Sequence, residues 1–411
     1  MNKTSMLVIH PTFSIGGGAE RFLLNFLRIM PEDEYSIDLL LFDNLQDSTK
    51  MFDAVPQHIN ILPFLWQFSR YSPELIQQLI SNGQGEAARV REYIYNRSHD
   101  KEFNALPNGE RLLANWELLR TICPNYDGYD YAVAFTHTLP VRILDCNVHA
   151  RKKCLFIHND FQLMCNECED LRSSVFSEYQ HYLNMDRIIC GTEKSLLSFN
   201  EVFPCVSSKL MVLLNVSDED HIRESSRAFV PEEYKNSYFN ILTITRVHPQ
   251  KDIELLLHTA YELKQRNILF KWFLLGNIGD SDYSRKCMEL CQILKLDATV
   301  IFLGERENPF PYYSNCSLFV MTSRYEGRCI AIEEARILGC PIVSTNFSSI
   351  YDQITDGING RICEMDSKNL ASAIEELYHD SNLRNRLAAA NSDYNGENEK
   401  TKYFQAFRQL N

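Results

Sequence analysis

The chain lacks a long apolar run. No segment approaches the roughly 18 uninterrupted hydrophobic residues that a membrane-crossing helix requires, so any membrane contact is expected to be peripheral. The stretch MNKTSMLVIHP holds only a short apolar run from Met6 before His10 and Pro11. That is too little for a signal peptide, and the expected location is cytoplasmic, at most at the inner face of the plasma membrane. An excess of positive charge is missing too: 41 Lys and Arg stand against 54 Asp and Glu, for a net charge of −13. Residues 1–200 hold 18 basic and 25 acidic side chains, which leaves 23 and 29 for the remainder. Neither half offers the basic surface that nucleic acid needs, so no nucleic-acid partner is expected.

Cysteine is plentiful, but a cysteine framework is absent. The 13 residues, an odd number, scatter from Cys123 to Cys363 in a chain too large to need disulfide staples, which predicts reduced thiols. Cys165 and Cys168 form a lone C-x-x-C with no second pair, and no metal is assigned to them. Internal repeats, the G-x-G-x-x-G fingerprint and a Walker lysine are likewise missing.

What is present is alternation. At 411 residues, 45% hydrophobic and 23% charged, the chain fits two globular domains of about 200 residues each. Short β-branched and aromatic runs alternate with amphipathic stretches, the pattern of parallel βαβ units. It predicts strands at 6–10, 37–42, 131–136, 153–158 and 187–190, then at 240–245, 271–275, 300–303, 318–321 and 341–344. A polar, charged passage over 213–238 separates the halves. The expected domains are 1–215 and 216–390, with a helix over 391–411 that carries Tyr403, Phe404 and Phe407 on one side and packs back on the first domain. Residues 43–130 interrupt the first half as an insert. Its interleaved aromatic and basic residues read either as an acceptor-side or membrane-touching element or as helices packed on the domain.

Three stretches carry chemistry. In HPTFSIGGGAERFLLNFL a strand ends at His10, glycines fill 16–18, and a helix follows from Ala19. Gly17 and Gly18 let backbone approach a ligand, and the helix start offers free N–H groups to an anion. In FNILTITRVHPQKDIELLL, Arg246 ends a strand and Lys251 opens the next helix, so both cations project from the edge where open α/β sheets bind ligands. Together they suit a diphosphate. In SRYEGRCIAIEEARILGCPIVSTN, Glu326 lies in a loop beside Gly327, and Glu334 lies on a helix over 328–338. Helical spacing puts Glu334 on the stripe of Ala331, Ala335 and Leu338, where an unpaired carboxylate is costly. It must meet ligand hydroxyls or a structural partner. In KKCLFIHNDF, His158, Asn159 and Asp160 end another strand; His158 can donate to a sugar or phosphate oxygen, with His137 as a rival.

These residues assembled, the chain resembles the retaining glycosyltransferases with the GT-B fold, family four. GGGAER, IHNDF, DRIICGTEKSLLSF, LLNV, ITRVHPQKD, the E-x7-E of EGRCIAIEE, ARILGCPIVSTN and DGINGRICE occur in the family's order. The resemblance implies two Rossmann-like doubly wound domains facing a central cleft. It implies a nucleotide-sugar co-substrate, UDP-linked, with no cofactor and no metal; Asp280 and Asp282 only echo the D-x-D of metal-dependent enzymes. Glu334 would hold the ribose, Glu326 the donor sugar hydroxyls, and Arg246 and Lys251 the diphosphate. Gly17 and Gly18 would approach the phosphates, Gly327, Cys329 and Ile330 would line the donor site, and His158 would face the reacting sugar. Two departures stand out: NVSD from Asn215 replaces N-G-[VI]-D, and Cys329 replaces a glycine. The expected function is transfer of a hexose-type sugar to a saccharide acceptor, lipid-linked, in bacterial surface-polysaccharide synthesis. A soluble hexosyltransferase, a nucleotide-sugar epimerase and a non-catalytic scaffold remain alternatives.

Overall fold

A computed structural model describes residues 3–11, 13, 17–42, 53–62, 77, 80–83, 85–121, 123–167, 169–234, 237–392 and 397–409. By their contacts the residues form two units, one of 1–14 and 30–213 with residue 410, the other of 15–29 and 214–409 with residue 411.

The first unit is built on a seven-stranded parallel sheet in the order β3-β2-β1-β4-β5-β6-β7. Its strands are β1 (Thr4–His10), β2 (Tyr35–Leu41), β3 (Asn60–Ile61), β4 (Tyr126–Ala134), β5 (Val148–Ile157), β6 (Arg187–Cys190) and β7 (Leu210–Val212). Central β1 is covered on both faces, so Met6, Leu7, Val8 and Ile9 form a continuous apolar run and all are buried. Met6 sits in register between Ile37 of β2 and Tyr131 of β4. The order reverses between β1 and β4, which opens a switch point at their carboxyl ends.

The expected insert over 43–130 contributes helices Gly85–Ser98, Lys101–Asn104 and Asn108–Leu119. Trp116 and Leu119 join the unit's core, and Val90 and Ile94 pack against it. Packing thus accounts for the described part, while most of the aromatic stretch over 61–80 lies outside the described residues.

The second unit holds a six-stranded parallel sheet in the order β10-β9-β8-β11-β12-β13. Its strands are β8 (Phe239–Ile244), β9 (Phe270–Leu275), β10 (Val300–Gly304), β11 (Leu318–Met321), β12 (Ile342–Thr345) and β13 (Arg361–Cys363). Two polar side chains of its core bond across the sheet: Trp272 Nε1 donates to Thr243 Oγ1 at 3.0 Å, which donates to the Val320 carbonyl at 2.7 Å. The switch point falls between β8 and β11.

Helix Gly18–Ile29 belongs to this unit by its contacts. Phe22 and Phe26 meet Tyr403 of the carboxy-terminal helix Glu397–Gln409, and Phe26 also meets Phe407. Gly18–Ile29 falls inside the expected first domain in sequence, but by its contacts it belongs to the second unit, so the carboxy-terminal helix packs within that unit.

The ten expected strands all occur, within a few residues of the predicted bounds. The three short edge strands β3, β7 and β13 are additional. With two or three residues each, they carry too little period to be read from sequence.

Candidate functional site

The second unit's switch point gathers most of the expected residues. β8 ends at Ile244, and Arg246 follows, exposed to solvent. Beside it, Gly276 adopts φ 129°, and a Cβ there would lie 2.2 Å from the Thr245 carbonyl oxygen, so only glycine lets the two strand ends run this close. Lys251 lies in a 3-10 turn, Pro249–Lys251, rather than at the start of the next helix as expected. Asp252, left-handed at φ 48°, separates the two and caps Ile253–Gln265 by accepting from the Leu255 N–H.

That turn is stitched to the loop after β11. Gln250 Nε2 donates to the Tyr325 carbonyl at 2.9 Å, the Arg324 N–H donates to the Gln250 carbonyl at 2.8 Å, and Thr322 Oγ1 donates to the Lys251 carbonyl at 2.7 Å. Glu326 is thereby brought to Lys251, and the two form an ion pair. Ser323 Oγ donates to the same Glu326 oxygen at 2.7 Å. Arg246 Nη2 reaches Gln250 Oε1 at 3.4 Å. Between the two cations, His248 is pushed down to about 4 by loss of hydration and then by the charges of Arg246 and Lys251.

Glu334 meets partners within the protein. The helix runs Ile330–Ile337, shorter than the expected 328–338, and Glu334 is 1% exposed. Arg21 Nη1 donates to both its oxygens, at 2.9 and 2.7 Å, and the Tyr313 hydroxyl donates to Oε2 at 2.8 Å. The partner is thus structural, and it comes from the AER of the glycine stretch. Burial disfavours the charge of Arg21, but Glu334, Tyr313 and Glu305 together outweigh it and raise the guanidinium's pKa. Gly18 opens the helix Gly18–Ile29, one residue earlier than expected, and lies against Ile330 at the start of the Glu334 helix. Two helix amino termini therefore stand side by side, and that of Ile330–Ile337 has no side-chain cap. Gly17 N–H donates to Glu20, and Gly16 lies outside the described residues.

Sequence reasoning missed the support beneath this loop. Glu333 is fully buried; it accepts from Arg328 Nη2 at 2.7 Å and Nε at 3.0 Å, and from Gln353 Nε2 at 3.3 Å. Gln353 also accepts from the Cys329 N–H and donates to the Cys329 carbonyl, each at 2.9 Å. The Cys329 amide, expected to line the donor site, is therefore engaged within the protein. Gly327 beside it is buried. Burial pushes the Cys329 thiol up to about 12, with Glu326 adding to it. At the NVSD departure, Asn215 is buried and Asp218 caps the helix Glu219–Ser225.

On the first unit, one histidine follows the end of β4 and another the end of β5. His158 follows β5 and donates from Nε2 to the Phe135 carbonyl at 2.6 Å. His137 packs edge-on to Phe161 and is pushed down to about 4 by burial and then by His158. Asp160 accepts from the Leu163 N–H at 3.2 Å. Cys165 is a buried core residue, and Cys168 lies outside the described residues. Asp280 and Asp282 are surface residues held by Arg285. Among the described residues, one group of three metal-competent side chains clusters, Asp145, Cys146 and His181. There the Asp145 carboxylate is already bonded to His181 Nδ1 at 2.8 Å and Asn184 Nδ2 at 3.1 Å.

Against solved structures, the chain is similar to Anabaena HepE in complex with UDP-glucose, with a TM-score of 0.70 over 98% of this chain and 99% of that one at 15% identity. Sucrose-phosphate synthase of Thermosynechococcus elongatus gives 0.70 over 99% of each chain at 15% identity. The fold is GT-B. Residues 226–393 of this GT-B chain match the family model for glycosyl transferases group 1. An uncharacterized glycosyltransferase of Methanocaldococcus jannaschii is 26% identical over 190 residues, 44% of this chain and 46% of its own length. A Campylobacter jejuni N-acetylgalactosamine-N,N'-diacetylbacillosaminyl-diphospho-undecaprenol 4-alpha-N-acetylgalactosaminyltransferase is 24% identical over 205 residues, 49% and 53%. The chain thus spans about half the length of these curated relatives.

Proposed function

We propose that this chain is a family-four, retaining glycosyltransferase that moves a hexose-type sugar from a UDP-sugar to a saccharide acceptor carried on a lipid, in the assembly of a bacterial cell-surface polysaccharide. One observation carries the reading: at the switch point of the second sheet Lys251 pairs with Glu326, and Arg246 reaches the neighbouring Gln250. Two cations suit a diphosphate, and a carboxylate suits sugar hydroxyls. The group 1 glycosyl transferase match covers all three residues. Named relatives support the pathway class, among them a capsular polysaccharide glycosyltransferase of Staphylococcus aureus and a lipopolysaccharide core glycosyltransferase of Rhizobium meliloti.

In this reading Glu334 takes the ribose, Glu326 the donor sugar hydroxyls, and Arg246 and Lys251 neutralise the diphosphate as its charge grows on departure. The acceptor hydroxyl attacks from the face the diphosphate leaves, and the departing phosphate takes its proton, which retains the anomeric configuration. The cations perform the neutralising role of a divalent metal, and none is invoked. His158 is the candidate catalytic group of the first unit. Among the described residues no helix is long and apolar enough to cross a membrane, and the proposed location is the cytoplasm, with peripheral contact at the inner membrane face.

The test is a thermal-shift and hydrolysis screen against UDP, GDP, ADP and their sugars without metal. A shift with UDP and release from one UDP-sugar support the reading. Interconversion of the sugar without transfer would indicate an epimerase, and silence across the panel from folded protein would indicate a scaffold. Glu334→Ala should weaken binding of free nucleotide, whereas Glu326→Ala should spare it and reduce turnover of the nucleotide sugar. Equal loss in both would contradict the division of roles.

A further inference from the structure

Glu334 has an arrangement that its proposed ribose contact does not by itself require. A carboxylate accepts about four hydrogen bonds. Here Arg21 occupies both oxygens and Tyr313 takes a second position on Oε2, which leaves acceptor capacity on Oε1. The Glu334 side chain is 2% exposed and that of Arg21 24%, so the carboxylate is shielded and its partner is reachable. We propose that Arg21 is a positioning residue for the nucleotide: its guanidinium orients and neutralises the buried Glu334 carboxylate so that Oε1 stays an acceptor for a ribose hydroxyl. The inference rests on the nucleotide-sugar reading above and adds a residue to it.

The physical reason is the cost of an isolated buried carboxylate. Without the guanidinium, Glu334 would lower that cost by taking up a proton, as buried glutamates do. A protonated Glu334 is a poorer acceptor for hydroxyls. The groups around it come from several elements: Tyr313 from helix Phe310–Asn315, Cys329 and the Arg328–Glu333 pair from its own helix and cap, and Glu305, which acts on Arg21 from beyond β10. Tyr313 is held well above the usual phenol range by burial and then by Glu334, and the Cys329 thiol is pushed up to about 12. Neither changes charge near neutrality.

The experiment measures the affinity of the full chain for UDP-glucose, UDP-N-acetylglucosamine and GDP-mannose by calorimetry from pH 5.5 to 8.5. The diphosphate of these probes is esterified at both ends and does not titrate there. The wild type should bind one probe with a flat profile. Arg21→Met should bind that probe about tenfold more weakly at pH 6 than at pH 8, the change expected when one proton must be lost from a group titrating in that range. Arg21→Lys, which keeps the charge, should restore a flat profile. Arg21→Met combined with Glu334→Gln should abolish the pH dependence. Should Arg21→Met fail to fold, Arg21→Gln, which keeps donors without charge, carries the same expectation. A flat profile in a folded neutral variant of Arg21 overturns the inference and leaves the nucleotide-sugar reading standing. A wild type that binds no probe overturns both.

Discussion

Glu333→Ala removes the acidic member of an ion pair whose side chains are 3% and 0% exposed, Arg328 and Glu333. The guanidinium loses the carboxylate bonded to it and keeps the weaker influence of Asp352, and Gln353 Nε2 loses one acceptor. Breaking a buried pair from one side costs about 3–5 kcal/mol, because the remaining charge stays desolvated. For a unit of about 200 residues, each kcal/mol lowers the midpoint by about 2–4 °C, so the second unit's transition should fall by roughly 6–20 °C. Glu333→Gln should cost less, since an amide oxygen can still accept from Arg328. The loss should also reach the ligand: Gln353 holds both backbone groups of Cys329, and Cys329 ends the loop that carries Glu326. Thermal melting followed by circular dichroism, with nucleotide-sugar binding measured on the folded variant at low temperature, checks both effects. A midpoint shift under about 2 °C would refute the claim that the buried charge of Arg328 depends on Glu333.

Lys251→Ala should weaken binding of a nucleoside diphosphate by about 1.5–3 kcal/mol, the range for a hydrogen bond to a charged group, or roughly 10- to 150-fold in Kd by calorimetry. Unchanged affinity would reject the diphosphate contact. His137 should make the first unit acid-sensitive. Its pKa is pushed down to about 4 in the fold against an ordinary value of 6.5, so between these values the unfolded chain binds more protons and stability rises with pH. That contribution is complete above about 6.5 and is lost as pH falls through about 4. Urea unfolding of wild type and His137→Asn between pH 4 and 7 should show a shallower pH dependence in the variant.

By itself, the sequence determined the alternation of buried strands and helices, because a parallel strand covered on both faces must be an apolar run, as Met6 to Ile9 and Leu318 to Met321 are. It placed Arg246 and Glu326 at strand ends, since position in a βαβ unit follows from order along the chain. Helical spacing likewise put Glu334 on a face where a bare carboxylate is not tolerated. Only the tertiary structure decided what these charges meet. Arg21 lies 313 residues from Glu334 and Lys251 lies 75 from Glu326, separations over which no local period carries information. The pairing of Arg328 with Glu333 is short-range, and its two charges were visible in EGRCIAIEE. Their burial was not, because a five-residue offset across the start of a helix becomes a contact only when the preceding loop folds back onto it, and Gln353, bonded to both backbone groups of Cys329, holds that loop.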